Sequence, residues 1–93
     1  MVLSMSSLKS LFGDFFELPK EVVLDSPLIM LVGKEKLFLE NHKGIALYQK
    51  DTINIRLNSG FLKVKGNKLE IEEIETDKIY VIGNISGLEY CKD

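Results

Sequence analysis

The chain holds one cysteine, one histidine and two prolines, and its basic residues do not outnumber its acidic ones. The lone thiol, Cys91, rules out an intrachain disulfide and leaves no second thiol for a metal site, so a reducing compartment is expected. A formal net charge of −2 offers no basic excess of the kind nucleic-acid binding uses, and no nucleic-acid partner is expected. Lys63, Lys65 and Lys68 do cluster, but Glu70, Glu72, Glu73, Glu75 and Asp77 follow at once, which describes a mixed, solvated face. No apolar run approaches the ~18–20 residues of a membrane span. The N-terminus has neither a basic leader nor a small-residue cleavage site, so no secretory signal is expected.

Catalytic signatures are missing as well. There is no G-x-S-x-G elbow, phosphate-binding loop, dinucleotide fingerprint or Cys–His nucleophile arrangement. His42 stands alone, without a second His or a Cys near it, so neither a metal centre nor any cofactor is expected. Glu72, Glu73 and Glu75 read as solubilising strand-edge residues rather than an acid pair. These absences together predict a protein that is not an enzyme.

What is present is a small β domain of one fold unit, preceded by a helix; 93 residues allow one compact domain. The division expected is an amphipathic N-terminal helix over residues 1–18 and a β domain over 19–93. In residues 4–17, Met5, Leu8, Leu11, Phe12, Phe15 and Phe16 share one side of a helical wheel, and Lys9, Ser10, Gly13, Asp14 and Glu17 share the other. Ser4, Ser6 or Ser7 can cap the start, and Leu18-Pro19 stops the helix because proline disfavours helical backbone at the residue before it. Leu8, Leu11, Phe12, Phe15 and Phe16 form its candidate interaction face. Packing against the chain's own sheet or a second copy ranks first as its cover, a protein partner second and lipid third. The nearly neutral polar face weakens the lipid option.

From Pro19 onward short alternating segments are punctuated by turn residues. Val22–Leu24 is a brief extended run. Leu28–Val32, uniformly apolar, reads as a strand covered on both faces. Lys36–Glu40 puts Leu37 and Leu39 on one side and Phe38 on the other. Ile45 and Leu47 follow a turn at Asn41-His42-Lys43-Gly44, in which Asn41 or Gly44 is expected at positive φ. Thr52–Leu57 presents Ile53, Ile55 and Leu57 on one face, and a turn at Asn58-Ser59-Gly60 returns the chain to Phe61. Residues 61–65 and 69–73 are expected to pair as a hairpin about Gly66-Asn67, with Lys63 opposite Glu70. Leu57 is expected to face Leu62, Ile55 to face Val64, and Arg56 to stand beside Lys63. A bulge or strand end is expected at Glu73-Ile74 and a turn at Glu75–Asp77. The fold class is mainly β: an antiparallel meander forming a small roll, barrel or sandwich behind one helix. A short β-solenoid, suggested by the corner-like Ile82–Leu88 segment, is the runner-up.

One loop has two readings. Glu40, Asn41, His42, Lys43 and Gly44 are either an ordinary polar connection or a partner-contact loop offering Asn, His and Lys.

The segment Leu18–Pro27 (LPKEVVLDSP), then Leu39-Glu40-Asn41-His42-Lys43-Gly44-Ile45, the stretch Gly60–Ile71 and the ending Val81–Tyr90 (VIGNISGLEY) carry a resemblance. Together they resemble the YabP/YqfC family of sporulation proteins, in its YqfC branch. The resemblance implies a protein of endospore-forming bacteria made in the mother-cell cytoplasm, without assigned enzymatic activity. It also implies a structural or assembly role at the forespore surface, and partners among other sporulation proteins, a membrane-bound one included. The N-terminal segment departs from the family in carrying few basic residues, which counts against direct binding to anionic lipid. Three functions remain open on the residues: a non-catalytic interaction module, a peripheral membrane protein anchored by its helix, and a small-ligand-binding β domain using Tyr48, Tyr80 and Tyr90.

Overall fold

The computed structural model describes residues 26–92. The expected helix, with Leu8, Leu11, Phe12, Phe15 and Phe16, and the Val22–Leu24 run lie outside the described residues. Those described form six strands: β1 (Leu28–Val32), β2 (Lys36–Glu40), β3 (Ile45–Tyr48), β4 (Thr52–Arg56), β5 (Phe61–Ile74) and β6 (Lys78–Cys91). They build one antiparallel sheet in the order β1-β2-β6-β5-β4-β3. The class is mainly β as expected, and the antiparallel pairing excludes the solenoid.

The sheet has two wings joined by the β5–β6 ribbon. The first half of β5 pairs with β4, from Thr52↔Lys65 to Arg56↔Phe61. The first half of β6 pairs with β2, from Lys36↔Ile82 to Glu40↔Lys78. One wing is therefore β3-β4 with the start of β5 and the end of β6. The other is β1-β2 with the start of β6 and the end of β5. Between them the β5–β6 register shifts three times, at Lys65/Gly66, Asn67/Glu70 and Ile71/Glu73. Bulges of this kind bend a ribbon and raise its twist. Both wings turn their aliphatic rows inward onto one cluster. Leu37, Leu39, Ile79 and Val81 meet Ile53, Ile55, Leu62 and Val64, all with no exposed surface, together with Leu69 and Ile85.

The expected hairpin about Gly66-Asn67 does not form, because β5 runs unbroken through both residues. Alternation does switch phase between Val64 and Leu69, and a hairpin turn and a pair of bulges produce the same switch in sequence. The bulges win because Gly66 lets the partner strand come close: a Cβ there would lie 2.2 Å from the carbonyl oxygen of Asn84. Lys63 accordingly stands between Asn54 and Glu89, and Glu70 faces Ile82. The β4–β5 register is also two residues from the expected one. Ile55 faces Leu62, Ile53 faces Val64, and Arg56 faces Phe61, because Leu57 enters the loop and donates its N–H to the carbonyl of Gly60. A shift of two preserves the faces, so the aliphatic face was assigned to the right residues. The Glu73-Ile74 irregularity and the Glu75–Asp77 turn stand where expected.

Two-sided burial belongs to β2 rather than β1. Leu37, Phe38, Leu39 and Glu40 are all buried, whereas β1 is an edge strand with Leu31 and Val32 exposed. A uniformly apolar run suits either position, and strand order decides between them. Asn41–Gly44 is not a hairpin turn, since β2 and β3 are not neighbours; it carries the chain from one wing to the other.

The bend makes a specific demand at Gly83, whose φ is +138° and whose added Cβ would meet the Lys68 carbonyl oxygen at 2.6 Å and the Leu69 Cα at 2.9 Å. Gly83→Ala is expected to cost about 2 kcal/mol or more through forced backbone conformation and the displaced ribbon. Chemical denaturation checks this: the midpoint should fall in Gly83→Ala and hold in Gly87→Ala, where a Cβ meets nothing within 4 Å.

Candidate functional site

The candidate contact loop clasps the two wings at the end of the sheet away from the bend. Four residues, Asn41 to Gly44, cross a gap of the ~10 Å that separates packed sheets. At the start of the loop, the N–H groups of Asn41 and His42 donate to the Asp77 carbonyl, at 2.6 and 3.3 Å. At its end, Lys43 N–H donates to the Arg56 carbonyl at 2.7 Å, and Arg56 N–H donates to the Gly44 carbonyl at 2.8 Å. The loop is thus hydrogen-bonded to β6's entrance on one wing and to β4 on the other. Tight crossing takes unusual backbone: Asn41 at φ +73° and Gly44 at +116°. Both residues named as candidates for positive φ adopt it.

His42 completes the clasp. It is buried, and Gly44 N–H donates to its Nδ1 at 2.9 Å, so Nδ1 is an acceptor without a proton. Nε2 then carries the hydrogen and donates to the Glu75 carbonyl at 3.0 Å. Both ring nitrogens are spent on backbone partners, one in the loop and one in the β5–β6 turn. The imidazole acts as a rivet in a fixed tautomer, inferred from its partners. Of the five residues proposed for partner contact, Lys43 is exposed, Asn41 and Gly44 are half-buried, and Glu40 and His42 are buried. A partner at this loop would meet Lys43 and the surrounding backbone.

Sequence reasoning missed the environment around Glu40. On the side of the β1-β2-β6 wing away from the core, Phe38 lies opposite Tyr80, with ring centroids 4.9 Å apart in an edge-on contact. Burial, and then the acidic Glu75 and Glu73, raise the Tyr80 hydroxyl above its ordinary pKa of 10.0; Lys78 opposes this and Glu40 adds to it. Glu40 is buried here, with Oε2 lacking a hydrogen-bond partner among the described residues. The signal available in the sequence was the unbroken Leu37-Phe38-Leu39 run, which only an internal strand covered on both faces can bury whole.

The three tyrosines suggested for a ligand site are not brought together. Tyr48 borders an open groove of about 610 Å³ with Lys50, Lys68 and Glu70, and its hydroxyl accepts the Ile71 N–H at 2.9 Å. Tyr80 faces outward on the other wing, and Tyr90 is 70% exposed. Among the described residues no group of three or more His, Cys, Asp or Glu side chains is placed to hold a metal ion.

His42→Ala is expected to cost about 1–3 kcal/mol, because it strands a loop N–H and a turn carbonyl in a buried place. Lys43→Ala should stay within about 0.5 kcal/mol, as an exposed side chain without such partners does. Urea denaturation of the two variants checks the difference. For Tyr80, a folded-state pKa above the unfolded value means that the unfolded chain loses its proton first. Its contribution to stability is full below pH 10.0 and fades as pH rises from there through the folded pKa. Melting temperature should therefore fall more steeply above pH 10 in the wild type than in Tyr80→Phe.

Comparison with known proteins agrees with the resemblance drawn from the sequence. The profile of the YabP family matches residues 25–93. A Bacillus subtilis (strain 168) protein called "Uncharacterized protein YqfC" is 30% identical over 76 residues, which cover 82% of this chain and 82% of the relative. The family match over residues 25–93 takes in the clasp, the bent ribbon and every strand described above, and the chain belongs to the YabP family.

Proposed function

We propose that the protein is a non-catalytic sporulation factor, an assembly or interaction module at the surface of the developing endospore. Kinship with YqfC supports the biological setting. The observation that carries the interaction role is the pair of sheet edges, neither of which is paired with a further strand among the described residues. β1 and β3 end the sheet on either side, and each exposes apolar side chains: Leu31 and Val32 on β1, Leu47 and Tyr48 on β3. An unprotected strand edge with apolar side chains is the surface to which another strand adds. His42 supports a non-catalytic reading because its ring nitrogens are both engaged by backbone. The proposed partners are other proteins of the spore assembly, a membrane-bound one among them, and the proposed location is the mother-cell cytoplasm at the forespore surface.

The test is complementation in an endospore-forming host lacking the gene for this chain. Leu47→Lys, at an exposed edge position, should leave the melting curve unchanged and lower the yield of heat-resistant spores. Normal spore yield in the null strain sinks the sporulation role. Full complementation by Leu47→Lys together with Val32→Lys sinks the edge as the interaction surface.

A further inference from the structure

The bend in the β5–β6 ribbon sorts charge by wing. In sequence Lys63 and Lys65 stand a few residues from Glu70, Glu72 and Glu73, which reads as one mixed face. In the fold the two groups sit on different wings, because the bulges between Lys65 and Glu70 carry β5 from one to the other. On the β3-β4 wing the outward rows are Thr52–Lys65, Asn54–Lys63–Glu89 and Arg56–Phe61. Lys65 pairs with Glu89 at 3.9 Å, whereas Arg56 and Lys63 have no ion-pair partner among the described residues. On the β1-β2 wing the end of β5 lies beside the outward residues of β6, with Glu70 opposite Ile82 and Glu73 opposite Tyr80. Burial, and then Glu75 and Glu73, raise the Tyr80 pKa, which places both carboxylates near that row. Glu72 pairs with Lys36 at 3.6 Å. Glu70, Glu73 and Glu75 are exposed and have no ion-pair partner among the described residues.

We propose that the protein associates with itself head to tail, the Arg56–Lys63–Lys65 side of one copy docking on the Glu70–Glu73–Glu75 strip of the next. Charge complementarity selects the occupant, since each surface holds unpaired charge of one sign. The wings share one core, so their outward sides face away from each other and a single copy cannot join its own two surfaces. The sizes agree. The basic rows run the five residues of β4 and the strip runs from Glu70 to the end of β5 at Ile74, about 17 Å each. The minority charges match as well, with Glu89 among the cations and Lys36 among the carboxylates. A phosphate polyanion or an anionic bilayer would meet Glu89 with repulsion, while a protein strip carrying a lysine accommodates it. At a formal net charge of −2 two copies repel little overall, and charge separated in this way orients them as they approach. The two surfaces are different patches, so the contact is heterologous. Each copy added leaves one surface of each kind free, and growth continues unless the rotation per copy closes a ring. This contact uses the outward sides of the sheet and does not rest on the strand edges.

Analytical ultracentrifugation of the full-length protein tests the contact. At low ionic strength the sedimentation coefficient should rise with protein concentration. It should return to that of the monomer as salt approaches about 0.5 M, where screening confines such attraction to contact range. Arg56→Glu with Lys63→Glu should weaken association by more than about tenfold, and so should Glu70→Lys with Glu73→Lys. Mixing the two double variants should restore association, because each then offers the other opposite charge at both surfaces. Should either double variant melt early, the single exchanges Arg56→Glu and Glu73→Lys give the same test. A wild type that stays monomeric at low salt, or a mixture that does not associate, would overturn the proposal. Association indifferent to salt would also overturn it, pointing to the apolar strand edges and leaving the proposed function standing. Flotation with phosphatidylglycerol vesicles that is lost in Arg56→Glu, Lys63→Glu, without self-association of the wild type, would assign the basic side to lipid and overturn it as well.

Discussion

The close approach of two backbones at Gly66 and Gly83 sets the rest of the fold. Hydrogen bonds hold β5 to β6 along almost their whole length, yet the two wings can share one core only if that ribbon turns a corner. A side chain at either glycine would occupy space already filled by a carbonyl of the opposing strand or by Leu69. The corner is reinforced from outside. Carbonyls of Lys50 and Asp51 accept N–H groups of Leu69 and Gly66, and carbonyls of Lys34 and Glu35 accept those of Ile85 and Gly83. The bulged ribbon therefore leaves few backbone groups without a partner at its most distorted point, which is what lets a distortion persist in a folded protein.

At the opposite end the wings are held by a few hydrogen bonds rather than by continuous ladder. The clasp from Asn41 to Gly44 is built mainly of main-chain bonds, with His42 as a buried side-chain link between loop and turn. This division of labour explains why the single histidine of the sequence serves architecture. Its chemistry of one donor and one acceptor in a rigid ring fits two backbone groups whose spacing the crossing fixes. The proposed interaction surfaces lie elsewhere, on the strand edges and the charged outward sides.

Much of this was legible in the sequence. Alternation put Leu37 and Leu39 on one side of their strand, and Ile53, Ile55, Leu57, Leu62, Val64, Leu69 and Ile71 on one aliphatic face; all are found in or against the core. The positive φ values at Asn41 and Gly44 and the turns at 58–60 and 75–77 followed from residue types that tolerate them. What sequence patterning could not separate was a turn from a bend. Gly66-Asn67 and the Ile82–Leu88 segment were both recognisable as places where a strand changes direction, but local chemistry does not say whether the chain reverses or continues. That is settled by partners far along the chain. The burial of Phe38 and Glu40, and the role of His42 as a rivet, are likewise products of strand order.

Because β5 and β6 each contribute to both wings, the order in which the chain can assemble is constrained. The β3-β4-β5-β6 meander pairs only consecutive strands, so its loops close early and at small entropic cost. The β1–β2 hairpin has no such local seat. It docks through β2 on the first half of β6, joining Phe38 to Tyr80 across the whole intervening meander. Contacts of that separation slow folding, since the entropy of closing the loop is lost before the pairing is gained. On this topology the meander is the scaffold that forms first, and the β1-β2 wing, with the Glu40–Gly44 crossing at its end, is the last part to lock.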